Sequence, residues 1–234
     1  MAAEHDAFPK TLALIGHELS TPLSVASGYV RMLVREQAGP INERQRKMLE
    51  EVERACGRMG HVIEEMRVLR KLLSKEIALS RRPFDLGALV EELASGMHES
   101  RDRGDVTIEV RRAGGPFEVL GDRDHMARAI GVLLRASLRE RGDPGAIVAE
   151  LSRAAGSPPA ALLLIGDEAV RAALATASDG NFDGWRGGLG LALRVARQVV
   201  EAHGGTVWSA PDANRDQGRA GWSAGSALRI PLNG

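Results

Sequence analysis

Gly16-His17-Glu18-Leu19-Ser20-Thr21-Pro22-Leu23-Ser24 sits inside a run whose apolar residues fall at Leu12, Ile15, Leu19, Pro22, Ala26, Tyr29 and Leu33. The steps alternate three and four, which predicts a long helix packed along its length against another helix. With Ile15 at heptad position d, His17 falls at f, on the outside. Thr21 lies four residues on, on the same face about one turn away, and Glu18 is the immediate neighbour. A nucleophilic imidazole, a carboxylate and a hydroxyl therefore share one compact, solvent-facing surface.

A second seam follows at Met48, Val52, Ala55, Met59, Val62, Met66, Leu69 and Leu73, alternating four and three without a break. Ala38-Gly39-Pro40-Ile41-Asn42 between the seams reads as a turn, with Asn42 as N-cap of the second helix and Glu43 as a favourable first-turn charge. The two helices predict an antiparallel hairpin. One hairpin alone exposes too much apolar seam, so two copies are expected to close a four-helix bundle as a homodimer. Pro22 removes one helix hydrogen bond just beyond the histidine and predicts a kink there.

The chain has 234 residues, with Lys+Arg and Asp+Glu balanced at 31 each, so charge gives no argument for nucleic acid or an anionic membrane. No apolar run approaches the ~20 residues that span a bilayer, and no signal peptide is visible. Cys56 is the single cysteine, which excludes an internal disulfide and fits a reducing cytoplasm. Its place beside Ala55 makes it a small packing residue. His61, His98 and His125 are scattered without partners at ligand spacing, so no metal site is predicted.

Heptad patterning stops near Ser80-Arg81-Arg82-Pro83, which sets the expected domains at 1–80 and 81–234. Beyond it, Asp85 caps an expected helix to about Met97, and residues 124–139 and 189–202 read as further helices. Residues 106–110, 117–120, 146–151, 160–165, 206–208 and 227–230 read as strands. The predicted fold class is α+β: a helical hairpin, then an α/β sandwich with helices on one face of a sheet. Gly187-Gly188-Leu189-Gly190 opens the last helix, where backbone amides and the helix N-terminus can meet an anion. His203, at that helix's end, reads as a cap or packing residue, and Trp208 as core.

His17-Glu18-Leu19-Ser20-Thr21-Pro22-Leu23 closely resembles the H-box of two-component sensor histidine kinases, and the likeness continues through Gly28-Tyr29 to about Leu73. Pro83-Phe84-Asp85-Leu86, Gly121-Asp122-Arg123-Asp124, the glycine run at 187–190 and Gly225-Ser226-Ala227-Leu228-Arg229-Ile230-Pro231-Leu232 extend it over nearly the whole chain. The resemblance implies a dimerisation and phosphoacceptor hairpin followed by a GHKL-type ATPase domain. It implies that His17 carries a phosphoryl group exchanged with an aspartate of a response regulator. Glu18 would assist as a base and Thr21 would place water for dephosphorylation. Gly187, Gly188 and Gly190 would contact ATP phosphates, Asp167 the adenine, and Arg139 keeps the basic character found near that site.

Two departures stand out. The asparagines of the family's N-box, one of which holds Mg²⁺, become Val132 and Ala136. The G1 box keeps Asp167, but Ala169 and Arg171 replace its glycines. Phosphoryl transfer from ATP rests on positioning and on charge neutralisation by the metal. Weak or absent MgATP binding is therefore expected. Three readings stay open: a divergent working kinase, an ATP-independent histidine phosphotransferase or phosphatase, and a non-catalytic docking dimer. The intact His17, Glu18 and Thr21 argue against the third.

Overall fold

The computed structural model describes residues 2–74, 76, 78–99, 104–141, 143–177, 182, 184, 191–209 and 225–233. Two units make up the chain, Met1–Ile77 and Ala78–Gly234.

The first unit is a hairpin of α1 (Ala2–Val34) and α2 (Glu43–Leu73). Helix α1 runs through Pro9 and Pro22. Asn42 caps α2 by accepting from the Gln45 N–H at 2.9 Å, and the Gln45 side chain accepts from the Asn42 N–H at 2.8 Å. This reciprocal capping box fixes where the chain turns back. Gly39 supports the turn at φ 117°, a conformation that side-chain-bearing residues rarely adopt. Leu12 and Val30 of α1 are buried, as are Cys56, Ile63, Met66, Leu69 and Leu72 of α2.

The second unit opens with β1 (Arg82–Asp85), paired antiparallel with β4 (Glu118–Gly121). Its main sheet has the order β2-β3-β5-β6-β8-β7. These strands are β2 (His98–Glu99), β3 (Val106–Ala113), β5 (Gly145–Ala154), β6 (Ala160–Gly166), β7 (Thr206–Ser209) and β8 (Ser226–Pro231). Among the described strands only β3 and β5 pair in parallel, and α4 (Arg123–Glu140) lies in their crossover. Helix α3 (Leu86–Ser95) starts at Asp85, whose side chain accepts from the Ala88 N–H at 2.8 Å. Helix α4 lies against β3, β5 and β6, and α6 (Ala192–Ala202) lies against α4 and β7.

Helix α5 (Glu168–Thr176), β1 and β2 are elements that the sequence pattern does not predict. Register puts Leu164, Ala227 and Trp208 on one face of the sheet, and Leu174 of α5 packs on them together with Val170. The alternate residues Ala149, Leu151, Leu163, Ile165 and Leu228 point to the other face and are also buried. Along β6 and β8 the sheet is thus covered on both faces, whereas the sequence pattern suggests helices on one. Trp208 Nε1–H donates to the Leu174 carbonyl at 3.1 Å, and Gly225 leaves the room that Val170 and the Ile165 carbonyl fill.

Candidate functional site

On α1, His17, Glu18 and Thr21 are all exposed, and Ser20 is half-buried. At 3.6 residues per turn Thr21 stands about 40° to one side of His17 and Ser20 about 60° to the other. Ser20 turns toward α2. Its hydroxyl donates to the Gly16 carbonyl at 2.5 Å and accepts from Nη2 of Arg67 at 2.8 Å. Nη1 of Arg67 lies 3.4 Å from Glu64. Pro22 has no N–H to offer the Glu18 carbonyl one turn back.

The two seams read from the sequence mostly do not face each other. Tyr29 is 63% exposed and Met48 60%, and Ile15, Leu19, Leu33, Val52, Met59 and Val62 are also open. Of the first seam only Leu12 is buried, and the contact within the hairpin otherwise uses a neighbouring stripe, with Leu23 and Val30 on α1. Of the second seam, Met66 and Leu69 are buried. Heptad spacing reports an apolar stripe but not which partner it meets, which explains the difference. Cys56 is buried in the packed stripe.

In the second unit the positions aligned with the metal-holding asparagines are packed. Ala136 is fully buried and Val132 half-buried on α4. The hydroxyl of the adjacent buried Ser137 is spent on the Leu133 carbonyl at 3.2 Å. Arg139 is exposed in the last turn of α4. Asp167 is the N-cap of α5 and its Oδ1 accepts from the Val170 N–H at 2.9 Å. Arg171, where the sequence lacks a glycine, is buried and paired with Glu150 on β5. Burial pulls its guanidinium pKa below the ordinary value, with Arg111 nearby adding to the effect. These residues supply no ligand suited to Mg²⁺ from α4, and α5 occupies the stretch where a glycine loop was to run. Gly187, Gly188 and Gly190 lie outside the described residues.

A further polar cluster joins the start of α4 to the end of α6. Asp122, N-cap of α4, accepts from the His125 N–H at 3.1 Å and the Ser80 N–H at 3.0 Å. Its Oδ1 lies 3.0 Å from Nδ1 of His125, so this histidine has a carboxylate partner after all. Spacing i, i+3 across a helix N-cap was the signal for that pair. His203 is buried: Nδ1–H donates to the Val199 carbonyl at 2.7 Å, and Nε2 accepts from the Asp122 N–H at 2.9 Å. Among the described residues, no group of three or more His, Cys, Asp or Glu side chains is placed to hold a metal. No described helix is long and apolar enough to cross a membrane.

Comparison with known proteins finds likeness for the hairpin and for the fold of the chain. Residues 10–75 match the family model of the His Kinase A (phospho-acceptor) domain, and His17, Glu18 and Thr21 lie inside the match. Over 193 residues the chain is 26% identical to the sensor protein DivL of Caulobacter vibrioides, covering 82% of this chain and 25% of that protein. The chain thus spans about a quarter of that relative's length. Full-length ShkA, solved in complex with AMPPNP, superposes with a TM-score of 0.68 at 19% identity, over 96% of this chain and 46% of that one. The Acinetobacter baumannii histidine kinase AdeS gives 0.57 at 21% identity, over 93% and 98%. Its hairpin matches the His Kinase A domain, and the chain shares the fold of these two solved structures.

Proposed function

We propose that this protein carries a phosphoryl group on His17 and exchanges it with an aspartate on the receiver domain of a response regulator. The observation that carries the reading is the exposure of His17, Glu18 and Thr21 together on one turn of α1. In the accepting direction a neutral imidazole nitrogen attacks the phosphorus of the aspartyl phosphate. The N–P bond forms, the P–O bond to the aspartate breaks, and the carboxylate leaves. Glu18 takes the proton given up by the ring. With Thr21 holding a water in place of the imidazole, the same surface hydrolyses the regulator's phosphate.

The homodimer is part of this reading. Eight apolar side chains of the open seam, each about half exposed, are worth on the order of 1 kcal/mol apiece on burial, or roughly 16 kcal/mol for two copies. That exceeds or matches an association cost of ~4–15 kcal/mol. Residues 1–80 then serve as dimerisation and phosphoacceptor domain, and residues 81–234 as a nucleotide-binding-like domain, in the cytoplasm.

The likeness to a kinase solved with an ATP analogue makes ATP the nucleotide to test. The packed Ala136, the capping role of Asp167 and the Arg171–Glu150 pair favour a decayed site. We therefore assign ATP-independent phosphotransfer or phosphatase action ahead of autophosphorylation. The test incubates the protein with γ-labelled ATP and Mg²⁺ and, separately, with a phosphorylated receiver domain, beside His17→Gln. Loss of regulator phosphate or label on His17 from the regulator alone is expected. Strong labelling of His17 from ATP overturns the assignment, and no exchange with any regulator overturns the whole reading.

A further inference from the structure

A phosphoryl group on His17 would carry close to two negative charges. Within one turn on either side, residues 13–21, the only ionisable neighbour on α1 is Glu18, which is negative. A cation reaches that turn from the other helix. Arg67 of α2 donates to the Ser20 hydroxyl, and that hydroxyl bends back to the Gly16 carbonyl, which brings the guanidinium to the level of residues 16–20. Ser20 and His17 are i, i+3 neighbours, with Cβ atoms roughly 5–6 Å apart. Gly16 presents no side chain in between, and a Cβ there would meet open space. The second nitrogen of Arg67 is held only by the long 3.4 Å contact to Glu64, on a side chain that is half exposed.

From this geometry we infer that Arg67 is the cationic partner of the phosphoryl group on His17, parked on Ser20 until that group arrives. The inference rests on His17 being the phosphoacceptor. Arg67 is the better-suited residue for the task because its planar fork keeps one N–H on Ser20 while another meets a phosphoryl oxygen. Thr21 and Glu18 flank the imidazole on one side, and Arg67 closes it on the other. The hairpin would thus supply the charge neutralisation that phosphoryl transfer needs without help from the second unit.

The test uses the full chain treated with phosphoramidate. The imidazole attacks phosphorus, the donor's P–N bond breaks, and ammonia leaves with the ring proton. A phosphohistidine ³¹P resonance that disappears in His17→Gln identifies the site. If the protein shows no such resonance, the phosphoacceptor reading itself fails. If it does, that resonance is titrated in Arg67→Ala, Arg67→Lys and Ser20→Ala. Removing the nearby cation should move the phosphoryl titration to higher pH in Arg67→Ala by about half a unit or more. Arg67→Lys should restore most of the shift, and Ser20→Ala should lie between. Transfer from a phosphorylated receiver domain should fall about tenfold in Arg67→Ala, less than the ~10²–10³ of a fully dehydrated donor. Arg67→Lys should recover part of it. A titration and a transfer rate in Arg67→Ala equal to the unsubstituted protein's overturn the inference, and thermal melting of each variant separates loss of folding from loss of charge.

Discussion

The backbone N–H of Asp122 donates to Nε2 of His203 across 2.9 Å and ties the first turn of α4 to the residue after α6. The ring lies over Gly121, where an added Cβ would meet its Cδ2 at about 2.5 Å. Burial, with Arg81 contributing a smaller push, holds the His203 pKa below its ordinary 6.5, so the ring is neutral and can accept. Protonation would set one N–H against another.

A group whose folded pKa is depressed by burial of its cationic form loses stability as pH falls below its unfolded value. Melting of the second unit should therefore be flat above pH 7 and decline from about pH 6.5 downward. All three tryptophans lie beyond residue 180, so their fluorescence reports this unit alone. His203→Gln, which keeps an acceptor but does not titrate, should abolish the slope between pH 6.5 and 5. His203→Ala should cost about 1–3 kcal/mol at neutral pH, because it leaves the Asp122 N–H buried without an acceptor. An unchanged slope in His203→Gln would refute this account.

Asp122 titrates in the opposite region. Burial alone would raise its carboxyl, but hydrogen bonds from the His125 N–H, the His125 ring and the Ser80 N–H outweigh it and hold the pKa at about 2. The ionised group adds stability above the unfolded value of 3.8, and that part is lost as pH falls from 3.8 toward about 2. Asp122→Ala should lower stability by about 1–2 kcal/mol at pH 7 through loss of the cap, and should flatten the acid limb below pH 4. Urea titrations at pH 7 and pH 3 measure both effects.

The open seam of the hairpin predicts a self-associating stem. Val52→Glu with Met59→Glu places charges where two copies would meet, at residues already 45% and 51% exposed. Sedimentation should show dimers for the unsubstituted protein and monomers for the double variant, with helix content largely retained. Equal mass for both would remove the four-helix bundle from the proposal.

Gly225→Ala tests the seating of α5. The new methyl would collide with Val170 and the Ile165 carbonyl, and a backbone oxygen in a central strand cannot move aside cheaply. A loss of about 1–3 kcal/mol in the second unit is expected. Glu150→Gln should cost less, since Glu150 remains 35% exposed in its pair with Arg171.

MgATP should shift the melting temperature little or not at all, because a ligand stabilises only in proportion to its binding of the folded state. A large upward shift at millimolar MgATP would show that the packing at Ala136 and the cap at Asp167 do not close the pocket.

Much of the fold is legible in the residues. The capping Asn42 and Asp85, the strand alternation at 106–110 and the helix at 124–139 sit where spacing puts them. Helix α5 hides in the sequence because Ala169 and Arg171 resemble a damaged glycine loop, although Asp167-Glu168-Ala169-Val170 is a good helix start. The His203–Asp122 bond joins residues 81 positions apart, and no local pattern encodes it. At the hairpin, spacing gave an outward His17, and the structure places it exposed. Arg67 beside Ser20 was invisible, since a contact between two helices depends on their relative rotation, which the seam does not fix.

The pairing of Leu163 on β6 with Leu228 on β8 has a consequence for synthesis. When β6 leaves the ribosome, the strand that will flank it is still about sixty residues from being made. Until then its apolar rim stands open to any neighbouring chain, a hazard for a nascent polypeptide. The hairpin has no such delay, because its two helices meet within the first third of the chain. Birth order thus completes the stem first and leaves the sheet's closure as the step most in need of a chaperone.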